Sequence, residues 1–383
     1  MNIDTAEQRL LRQSVSKIAE RYGHAYFADR ARAGGRVDEL WSELGEAGFL
    51  GVHLPEEYGG GGGGLREYGV VLEELAAHGM PLLMGVISPA ITASIVWRHG
   101  SEEMKRDWLP GMAAGTRKMA FALTEPDAGT NSHAVTTTAQ RDGDGWLLTG
   151  AKYYISGVDE SEALLVVARD GEERPSGRSP LSLFVVPVDA PGLRAQQIVT
   201  ELVVPEKQFT VFFDDVRIGP ESLIGEAGRG LRQVFAGLNP ERILAASLSN
   251  GIGRYALDKA ARYARERQVW STPIGAHQGV SHPLAEAYIG VELARLATAR
   301  AAELYDCGED AAEAANIAKF AAADASLKAL DQAIQTHGGN GLSREYGLAD
   351  LWFAARLLRT APVSREMVLN YVAQHSLQLP PSY

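Results

Sequence analysis

The order of sequence patterns along the 383 residues predicts an α+β fold that is mainly α, with three domains in the order helices, sheet, helices. Apolar residues spaced three and four apart predict helices over residues 1–118, and short β-branched or aromatic runs predict strands over residues 119–224. Long Ala- and Leu-rich periodic segments return over residues 225–383. Since one domain usually holds about 150 residues, several packed units are expected.

The N-terminal domain is predicted to be helical apart from one glycine-rich interruption. Segments such as QRLLRQSVSKIAERY and VDELWSELGEAGFLGV show the helical spacing of apolar residues. The glycines Gly59–Gly64 cannot form a stable helix, and they predict a flexible surface turn. A phosphate-binding loop is the alternative, and it is disfavoured because the Lys-Ser/Thr pair of such a loop does not follow.

The two remaining domains differ in their predicted secondary structure. The central domain is predicted to contain strands at GWLLTGAKYYISG, ALLVVARD, SLFVVPV and FTVFFDDVRI, each bounded by Gly, Pro or Asp. The C-terminal domain is predicted to contain long helices at ILAASLSNGIGRYALDKAARYARERQV and AAEAANIAKFAAADASLKALDQAIQTH. No internal repeat indicates a solenoid.

Composition excludes several classes of protein. With 45% hydrophobic and 22% charged residues the chain is an ordinary globular protein, and its net charge of −11 disfavours nucleic acid or an anionic membrane as the main partner. Cys307 is the only cysteine, so neither a disulfide framework nor a multi-thiolate metal site is expected. The lack of a secretory signal and of about 20 uninterrupted apolar residues predicts a soluble, cytoplasmic protein without a membrane span.

Two polar motifs stand out against this background. The motif TEPDAGT, Thr124 to Thr130, combines a Pro-directed turn, a glycine and flanking hydroxyls just before a predicted β-hairpin. The motif QTHGGNG, Gln335 to Gly341, ends a helix with glycines whose bare backbone can approach a phosphate or ribose closely. Each motif by itself indicates no more than a polar turn and a helix C-terminus.

Together, and in this order between helices and strands, the motifs resemble those of the acyl-CoA dehydrogenase family. The resemblance covers essentially the whole chain and includes LGEAGFLGVHLPEEYGG, FALTEPDAGTN, GAKYYISG, FFDDVRIGPESLIGEAGRG, RERQVWSTPIGAHQ and QTHGGNG. It implies a central β-barrel-like or sandwich domain between an N-terminal helical domain and a C-terminal four-helix bundle. It also implies FAD as cofactor and a homo-oligomer, a tetramer or a dimer, in which a neighbouring subunit completes each FAD site.

The resemblance assigns FAD contacts residue by residue. Positions that match the flavin ring and pyrophosphate side are Leu123, Thr124, Gly129, Thr130, Tyr154 and Ser156. Positions that match contacts to the other subunit's FAD, or to its adenosine end, are Arg267, Gln278, Gln335, Gly338, Gly339, Ser364 and Glu366. The departures are modest: Tyr154 replaces the usual Trp, Ser156 replaces Thr, Trp270 replaces Phe, and Ser271 replaces Gly.

The family's chemistry requires one carboxylate that removes the α-proton of an acyl thioester while a hydride leaves the β-carbon for the flavin. Most members carry this Glu in a segment resembling I-Y-E-G-T-S-E-I, but the matching segment LLRTAPVSREM has Pro362 there. A minority, resembling isovaleryl-CoA and long-chain acyl-CoA dehydrogenases, carries it on a helix before an Arg. The segment LNPERILAA has Glu241 before Arg242 at that position, which predicts Glu241 as the base.

The local sequence around Glu241 predicts a helix start, with Asn239 as cap and Pro240 in the first turn. Burial beside an apolar acyl chain would raise the pKa of Glu241 towards neutrality. The alternative is an ordinary exposed Glu in a first helical turn. Arg242 is expected either near the CoA or in a salt bridge that anchors the helix, and Thr130 is expected to contact the pantetheine as well as the flavin.

Pro362 has a second consequence, because the family polarises the thioester carbonyl with a backbone N–H near the usual Glu, and proline has none. Either a neighbouring amide substitutes or the protein catalyses another reaction. The leading prediction is dehydrogenation of an acyl-CoA to a trans-2-enoyl-CoA, with an electron-transfer flavoprotein as acceptor. The alternatives are an oxidase or flavin monooxygenase that uses O₂, and a non-catalytic partner subunit that binds acyl-CoA or FAD.

Overall fold

The computed structural model describes residues 3–170 and 180–381 and confirms a mainly helical fold with a β domain in the middle. The N-terminal helices are α1 (Ala6–Arg32), α2 (Asp38–Glu46), α3 (Leu65–Ala77), α4 (Leu83–Gly85), α5 (Ala93–His99) and α6 (Glu102–Ala113). A wider-turned helical segment, Val86–Thr92, joins α4 to α5. The first helix starts at Thr5, whose hydroxyl accepts from the Gln8 N–H at 3.2 Å while the Gln8 side chain accepts from the Thr5 N–H at 3.0 Å.

The glycine run forms a turn, as predicted, but the turn is tied down rather than flexible. The N–H groups of Gly61, Gly62 and Gly63 donate to backbone carbonyls at 2.9 Å each, and the Gly64 N–H donates to Glu67 at 2.9 Å. A Cβ on Gly60 would lie 2.1 Å from the Leu54 oxygen. The glycines are therefore needed for close backbone approach, which composition by itself does not reveal.

The β domain is built on a single mixed sheet. Its strands are β1 (Met119–Ala122), β2 (Thr138–Asp142), β3 (Gly145–Ser156), β4 (Ala163–Asp170), β5 (Leu181–Pro187), β6 (Leu193–Ile198), β7 (Gln208–Ile218) and β8 (Leu223–Ile224). Their order is β6-β7-β3-β2-β4-β5-β8, and β1 lies beside β4. Strand β4 pairs in parallel with β1 and β2, whereas the other neighbours pair antiparallel.

Strand β4 shows how the sheet joins the helices. Its alternate residues Leu164 and Val166 belong to the core inside the β domain, around Trp146 and Phe184, whose rings meet edge to face at 5.1 Å. Ala163, Leu165 and Val167 of the opposite face belong to the core shared with the helices. The strand is apolar from Ala163 to Ala168 because both of its faces are buried there.

The C-terminal domain consists of long helices around a central one. They are α7 (Gly230–Glu266), α8 (Gln278–Asp306), α9 (Ala312–His337), α10 (Trp352–Thr360) and α11 (Arg365–Tyr371), with a small hairpin of β9 (Gln268–Val269) and β10 (Thr272–Pro273) after α7. The boundaries predicted at 118/119 and 224/225 fall between α6 and β1 and between β8 and α7.

The predicted helix start at Asn239 and Pro240 is wrong, because α7 begins at Gly230 and continues through Pro240. Proline lacks an N–H, so the Ala236 carbonyl four residues earlier loses its usual helical donor. The Tyr305 hydroxyl donates to that carbonyl at 3.4 Å. A neighbouring helix thus compensates for the proline, which local sequence rules cannot anticipate.

A buried ionic cluster ties the N-terminal helices to the C-terminal ones. The Glu73 carboxylate accepts from Arg12 at 3.3 Å and from Arg254 and Arg295 at 2.9 Å each, and Glu74 pairs with Arg12 and Arg254 at 2.9 and 2.8 Å. Burial by itself would raise the pKa of Glu73, but the three guanidinium groups outweigh it and leave that pKa below its usual value. The cluster joins α1, α3, α7 and α8.

Among residues 3–170 and 180–381, no group of three or more His, Cys, Asp or Glu side chains is arranged to hold a metal ion. Within the same ranges, no helix combines the length and the apolar character needed to cross a membrane.

We expect Glu73→Gln to lower the free energy of unfolding by about 3–5 kcal/mol, because it leaves buried arginines without their shared carboxylate. Denaturant unfolding measures this, with Arg262→Gln as control, since the Arg262–Asp258 pair is exposed and is worth about 0–1 kcal/mol. The pKa of Glu73 is lower in the folded protein than in the unfolded chain. The contribution of Glu73 to the free energy of unfolding is therefore fully present above its pKa in the unfolded chain, and it is lost as pH falls through its pKa in the folded protein. An equal loss in both variants would contradict the role of the cluster.

Candidate active site

Glu241 lies on α7 about three turns after the helix begins. It keeps some accessible surface, yet the packed protein around it raises the pKa of its carboxyl to about 7, against the attraction of Arg242 and Lys319. Within the described chain its side chain makes no hydrogen bond or ion pair. The alternative of an exposed Glu in a first helical turn is therefore wrong, because Glu241 is partly buried and lies well inside α7.

Arg242 points its guanidinium back along α7. Its Nη1 donates to the Asn239 side chain at 2.9 Å, and its buried Nε has no partner among the described residues. Burial lowers the pKa of Arg242 despite the attraction of Glu241. No carboxylate of the described chain lies within ion-pair distance of the guanidinium, so the structure does not form the predicted anchoring salt bridge.

The segment around Pro362 is held against α9 by three side chains. The buried Lys319 ammonium donates to the carbonyls of Arg359, at 3.1 Å, and Val363. Arg359 and Arg365 both pair with Asp324, at 2.9 and 3.0 Å. The charge of Lys319, after that of Arg242, also opposes the effect of burial on the pKa of Glu241.

A second buried lysine, Lys152, holds the motif TEPDAGT in place by hydrogen bonds. Lys152 on β3 donates to the Leu123 carbonyl at 3.0 Å and to the Glu125 carboxylate at 2.9 Å. Glu125 also accepts from the backbone N–H groups of Thr136 and Thr137, at 2.6 and 2.9 Å. Burial lowers the pKa of Lys152 to about 8. Burial would raise the pKa of Glu125, but the charge of Lys152 and the hydrogen bonds outweigh it and lower that pKa to about 2.

The residues predicted to meet the flavin are brought together around this pair. The Thr124 carbonyl accepts from the Tyr153 N–H at 2.8 Å, which joins the motif to β3. Tyr154 is 53% exposed with φ 56°, and the Ser156 hydroxyl donates to Gln208 at 2.9 Å. In the part of the chain that the structure describes, the N–H groups of Gly129 and Thr130 have no acceptor.

The segment from α4 to α5 links this surface to Glu241. A Cβ on Gly157, next to Ser156, would lie 2.8 Å from the Met84 sulfur. A Cβ on Gly237, one turn before Glu241, would lie 2.8 Å from the Ile91 oxygen. The two contacts place this helical segment between the flavin-facing residues of the β domain and the base helix.

The other predicted FAD residues lie at the opposite end of α7. Arg267 caps the C-terminus of α7, and Gln278 begins α8 just after the small hairpin. Gln335, Gly338 and Gly339 end α9 close by, because His337 stacks on Tyr263 of α7 at 4.3 Å. These five predicted residues are all exposed: Arg267, Gln278, Gln335, Gly338 and Gly339.

Ser364 and Glu366 belong to neither group. They follow Pro362 at the start of α11, where the Ser364 hydroxyl accepts from the Met367 N–H at 3.3 Å. Glu366 is exposed, and its charge acts on Lys319. Both residues therefore lie beside the segment that Lys319 holds, at the start of α11.

Two cavities, of about 700 and 620 Å³, lie elsewhere, and only the smaller one is lined by residues of α7. They share Trp97, Arg98 and Tyr305, and the smaller one reaches Asn239. Neither cavity is lined by Glu241 or by any predicted FAD residue. Cavity size therefore does not identify the site, whose predicted residues lie largely on open surface.

The exposed residues fit a dinucleotide. A Cβ added to Gly129, Gly338 or Gly339 would have no described atom within 4 Å, so the space beside these glycines is open. A ligand can therefore approach their backbone closely. The free N–H groups near Gly129 and the exposed Arg267 are donors suited to phosphate, and the Tyr154 ring offers an aromatic face. The chemistry of this donor set is what FAD requires.

Lys152, Glu125 and Lys319 are not among the residues predicted for the site, although the sequence carries signals for the two lysines. Strand alternation places Lys152 on the same face as Trp146 and Leu148, and helical periodicity places Lys319 among buried alanines such as Ala322. A lysine at an inward position needs a polar partner. The sequence does not show which partner it finds.

Comparison with known proteins agrees with this geometry. The chain matches the family models "Acyl-CoA dehydrogenase, N-terminal domain" over residues 5–116, "middle domain" over 120–216 and "C-terminal domain" over 228–377. It is 55% identical to acyl-CoA dehydrogenase FadE12 of Mycobacterium tuberculosis, over 100% of this chain and 98% of that protein.

Solved structures show the same fold. Butyryl-CoA dehydrogenase from Megasphaera elsdenii superposes with a TM-score of 0.92 at 27% identity, covering 99% of this chain and 100% of that one. A glutaryl-coenzyme A dehydrogenase in complex with glutaryl-CoA superposes with a TM-score of 0.93 at 28% identity, covering 99% and 98%. The chain therefore belongs to the acyl-CoA dehydrogenase family of FAD-dependent oxidoreductases.

Proposed function

We propose that this protein catalyses the α,β-dehydrogenation of an acyl-CoA thioester to a trans-2-enoyl-CoA, with Glu241 as the base that removes the α-proton. The observation that carries the proposal is a shielded carboxylate at the predicted base position, without a partner in the described chain, whose pKa burial raises to about 7. FAD, when bound, supplies the acceptor for the hydride that leaves the β-carbon. An electron-transfer flavoprotein is the proposed final acceptor.

The environment of Glu241 suits a base at neutral pH. A pKa of about 7 keeps a large fraction of the carboxyl ionised there, while the ionised form remains basic enough to accept a proton. Since no described group forms an ion pair with it, proton uptake breaks no salt bridge. Arg242 and Thr130 are proposed to contact the CoA moiety of the substrate.

The carbonyl of the thioester needs a donor other than residue 362. The next amide, Val363 N–H, has no acceptor in the described residues, and its segment is fixed through Lys319 and Asp324. We propose Val363 N–H as that donor. The Lys152–Glu125 pair in turn holds the Leu123 and Thr124 backbone, which is proposed to face the flavin ring.

A homo-oligomer is part of the proposal, because one chain separates its FAD residues. The 26 residues between positions 241 and 267 span about 39 Å of helix at about 1.5 Å per residue. Arg267 and its neighbours are therefore proposed to serve the FAD of a second copy. Exposed Tyr288, Ile289 and Leu293 on α8 offer an apolar surface for that copy, in a tetramer or a dimer.

We expect Glu241→Gln to retain bound FAD and to lose about 10²–10⁴-fold of the rate at which acyl-CoA reduces the flavin, the usual contribution of a general base. Anaerobic stopped-flow bleaching of the flavin with a panel of acyl-CoA chain lengths measures this and also identifies the preferred substrate. Glu226→Gln, at an exposed position before α7, is the matched control. Rapid bleaching of the Glu241→Gln variant would refute the assignment of Glu241 as the base, whereas a wild-type flavin that no acyl-CoA bleaches would favour the alternatives to a dehydrogenase.

We expect the rate of flavin reduction to fall about tenfold per pH unit below about pH 7 and to level off above it. The reason is that only ionised Glu241 accepts the proton, and burial raises its pKa to about 7. Single-turnover reduction between pH 5.5 and 9 gives the profile. A rate that stays constant down to pH 6 would contradict a base with this pKa.

We expect Arg267→Gln to reduce the FAD content of the purified protein, whereas Arg262→Gln, an exposed helix charge one turn earlier, leaves it unchanged. If the two halves of each site come from different subunits, co-expression of Arg267→Gln with Glu241→Gln chains restores about a quarter of the sites. Recovered bleaching by acyl-CoA measures them. No recovery in mixed oligomers of proven composition would show that each chain builds its own site.

A further inference from the structure

Gln208 is a buried amide that the proposed chemistry leaves unused. It begins β7, and the antiparallel register places it directly opposite Ser156 at the end of β3. Their side chains lie on the same face of the sheet, where the Ser156 hydroxyl donates to the Gln208 Oε1 at 2.9 Å. The pair therefore joins a residue predicted to meet the flavin to one that the sequence analysis does not single out.

The face on which this pair lies is the one that meets the helices. The neighbouring residues Ile155 and Phe209 belong to the core inside the β domain. Because side chains alternate along a strand, Ser156 and Gln208 point to the opposite face. Gly157 comes next in the chain, and a Cβ there would lie 2.8 Å from the Met84 sulfur. The Ser156 hydroxyl thus lies beside the helical segment that leads to the base helix.

The orientation of the Gln208 amide is fixed by a second hydrogen bond. Its Nε2 donates to the Glu206 carbonyl at 3.3 Å, which leaves Oε1 to face Ser156. The reverse orientation would set Oε1 against the carbonyl oxygen, and two acceptors cannot bond to each other. Glu206 is itself buried and held, because its carboxyl accepts from the Met84 N–H at 2.9 Å.

The ends of the two strands are also held together. The Gly157 N–H donates to the Lys207 carbonyl at 2.9 Å, and the Lys207 ammonium pairs with Asp159 at 2.8 Å. These contacts lie on either side of the Ser156–Gln208 pair. Neither side chain can therefore move away without the loss of several hydrogen bonds.

This arrangement determines how the Ser156 hydroxyl can bind a ligand. A hydroxyl has one proton to donate and two lone pairs that accept. The proton of Ser156 is engaged by Gln208, and no donor in the described residues uses its lone pairs. Towards a ligand on this face, the hydroxyl is consequently an acceptor.

The oxidised and reduced flavin rings differ in what they offer to such an acceptor. A hydride brings two electrons and one hydrogen to the ring, so a ring nitrogen that only accepts in the oxidised form becomes an N–H donor in the reduced form. A hydroxyl restricted to accepting binds the reduced form and has no hydrogen for the oxidised one. Its contribution therefore favours the reduced cofactor.

We propose that Gln208 is a positioning residue that makes the Ser156 hydroxyl an acceptor towards the flavin ring and thereby raises the reduction potential of the bound FAD. The proposal rests on the proposed function, with Ser156 beside the flavin ring. Gln208 acts only through Ser156, and its own orientation is set by the Glu206 carbonyl.

The test is the reduction potential of the bound FAD, measured by anaerobic titration with dithionite against a reference dye and without acyl-CoA. Gln208→Met keeps the length of the side chain and frees the Ser156 proton, which can then be donated to the oxidised ring. We expect the ratio of oxidised to reduced flavin at a given potential to rise about tenfold, a fall in reduction potential of about 30 mV for a two-electron couple. Gln140→Met, at an exposed position of β2, is the matched control and is expected to change nothing.

A double-mutant cycle separates this role from a general effect on the fold. In a Ser156→Ala background, which has no hydroxyl to orient, Gln208→Met is expected to cause no further change in potential. Ser156→Thr keeps the hydroxyl and is expected to keep the wild-type potential. An unchanged potential in Gln208→Met, or an equal shift with and without the Ser156 hydroxyl, would overturn the proposal.

If Gln208→Met does not fold, Ser156→Ala by itself decides. It removes the acceptor and is expected to lower the potential, whereas Ser156→Thr does not. A potential that Ser156→Ala leaves unmoved would overturn the proposal. Because the titration uses no acyl-CoA, its result is independent of the proposed reaction, which flavin bleaching of the wild-type protein by acyl-CoA tests separately.

Discussion

The close packing of α7 is the constraint on which the rest of the structure depends. This helix of 37 residues passes through the whole C-terminal domain and contacts α3, α8 and α9. Three glycines permit that approach: a Cβ on Gly237, Gly251 or Gly253 would lie 2.8, 2.3 or 2.8 Å from a neighbouring atom. Because α7 is closely packed at these three points, it holds Glu241 and Arg267 at a fixed distance from each other. The geometry of the site therefore follows from the packing of this helix.

Buried charge is the second organising feature, and the protein accommodates it in three ways. Around Glu73 and Glu74 several arginines share two carboxylates, which joins four helices. The Lys152–Glu125 pair is completed by backbone groups and shapes a loop of the β domain. Lys319 has carbonyl partners only, and Glu241 has none in the described chain. Charge is neutralised where it joins elements of the structure, and it has no partner in the described chain at the residue proposed as the base.

Much of the fold could be predicted because it depends on local periodicity. The run ALLVVARD became β4, GWLLTGAKYYISG became β3, and the Ala-rich segment after residue 311 became α9. Local rules failed where a tertiary contact replaced a local one. Pro240 suggested a helix start, but the Tyr305 hydroxyl satisfies the carbonyl that proline leaves without a donor. The glycine run suggested flexibility, but hydrogen bonds to residues 51–55 and to Glu67 fix it.

The sequence by itself determined the family, the order of the three domains, and the pairing of a glutamate in LNPER with a proline at the usual base position, because these are properties of residue identity and spacing. Only the tertiary structure decided that Glu241 is shielded and without a partner in the described chain, that Lys319 fixes the Pro362 segment, and that Arg267 lies about 39 Å of helix away. Burial, charge and distance between residues far apart in sequence arise only when helices pack together. A pattern can therefore name a base, but the packed surroundings set its pKa.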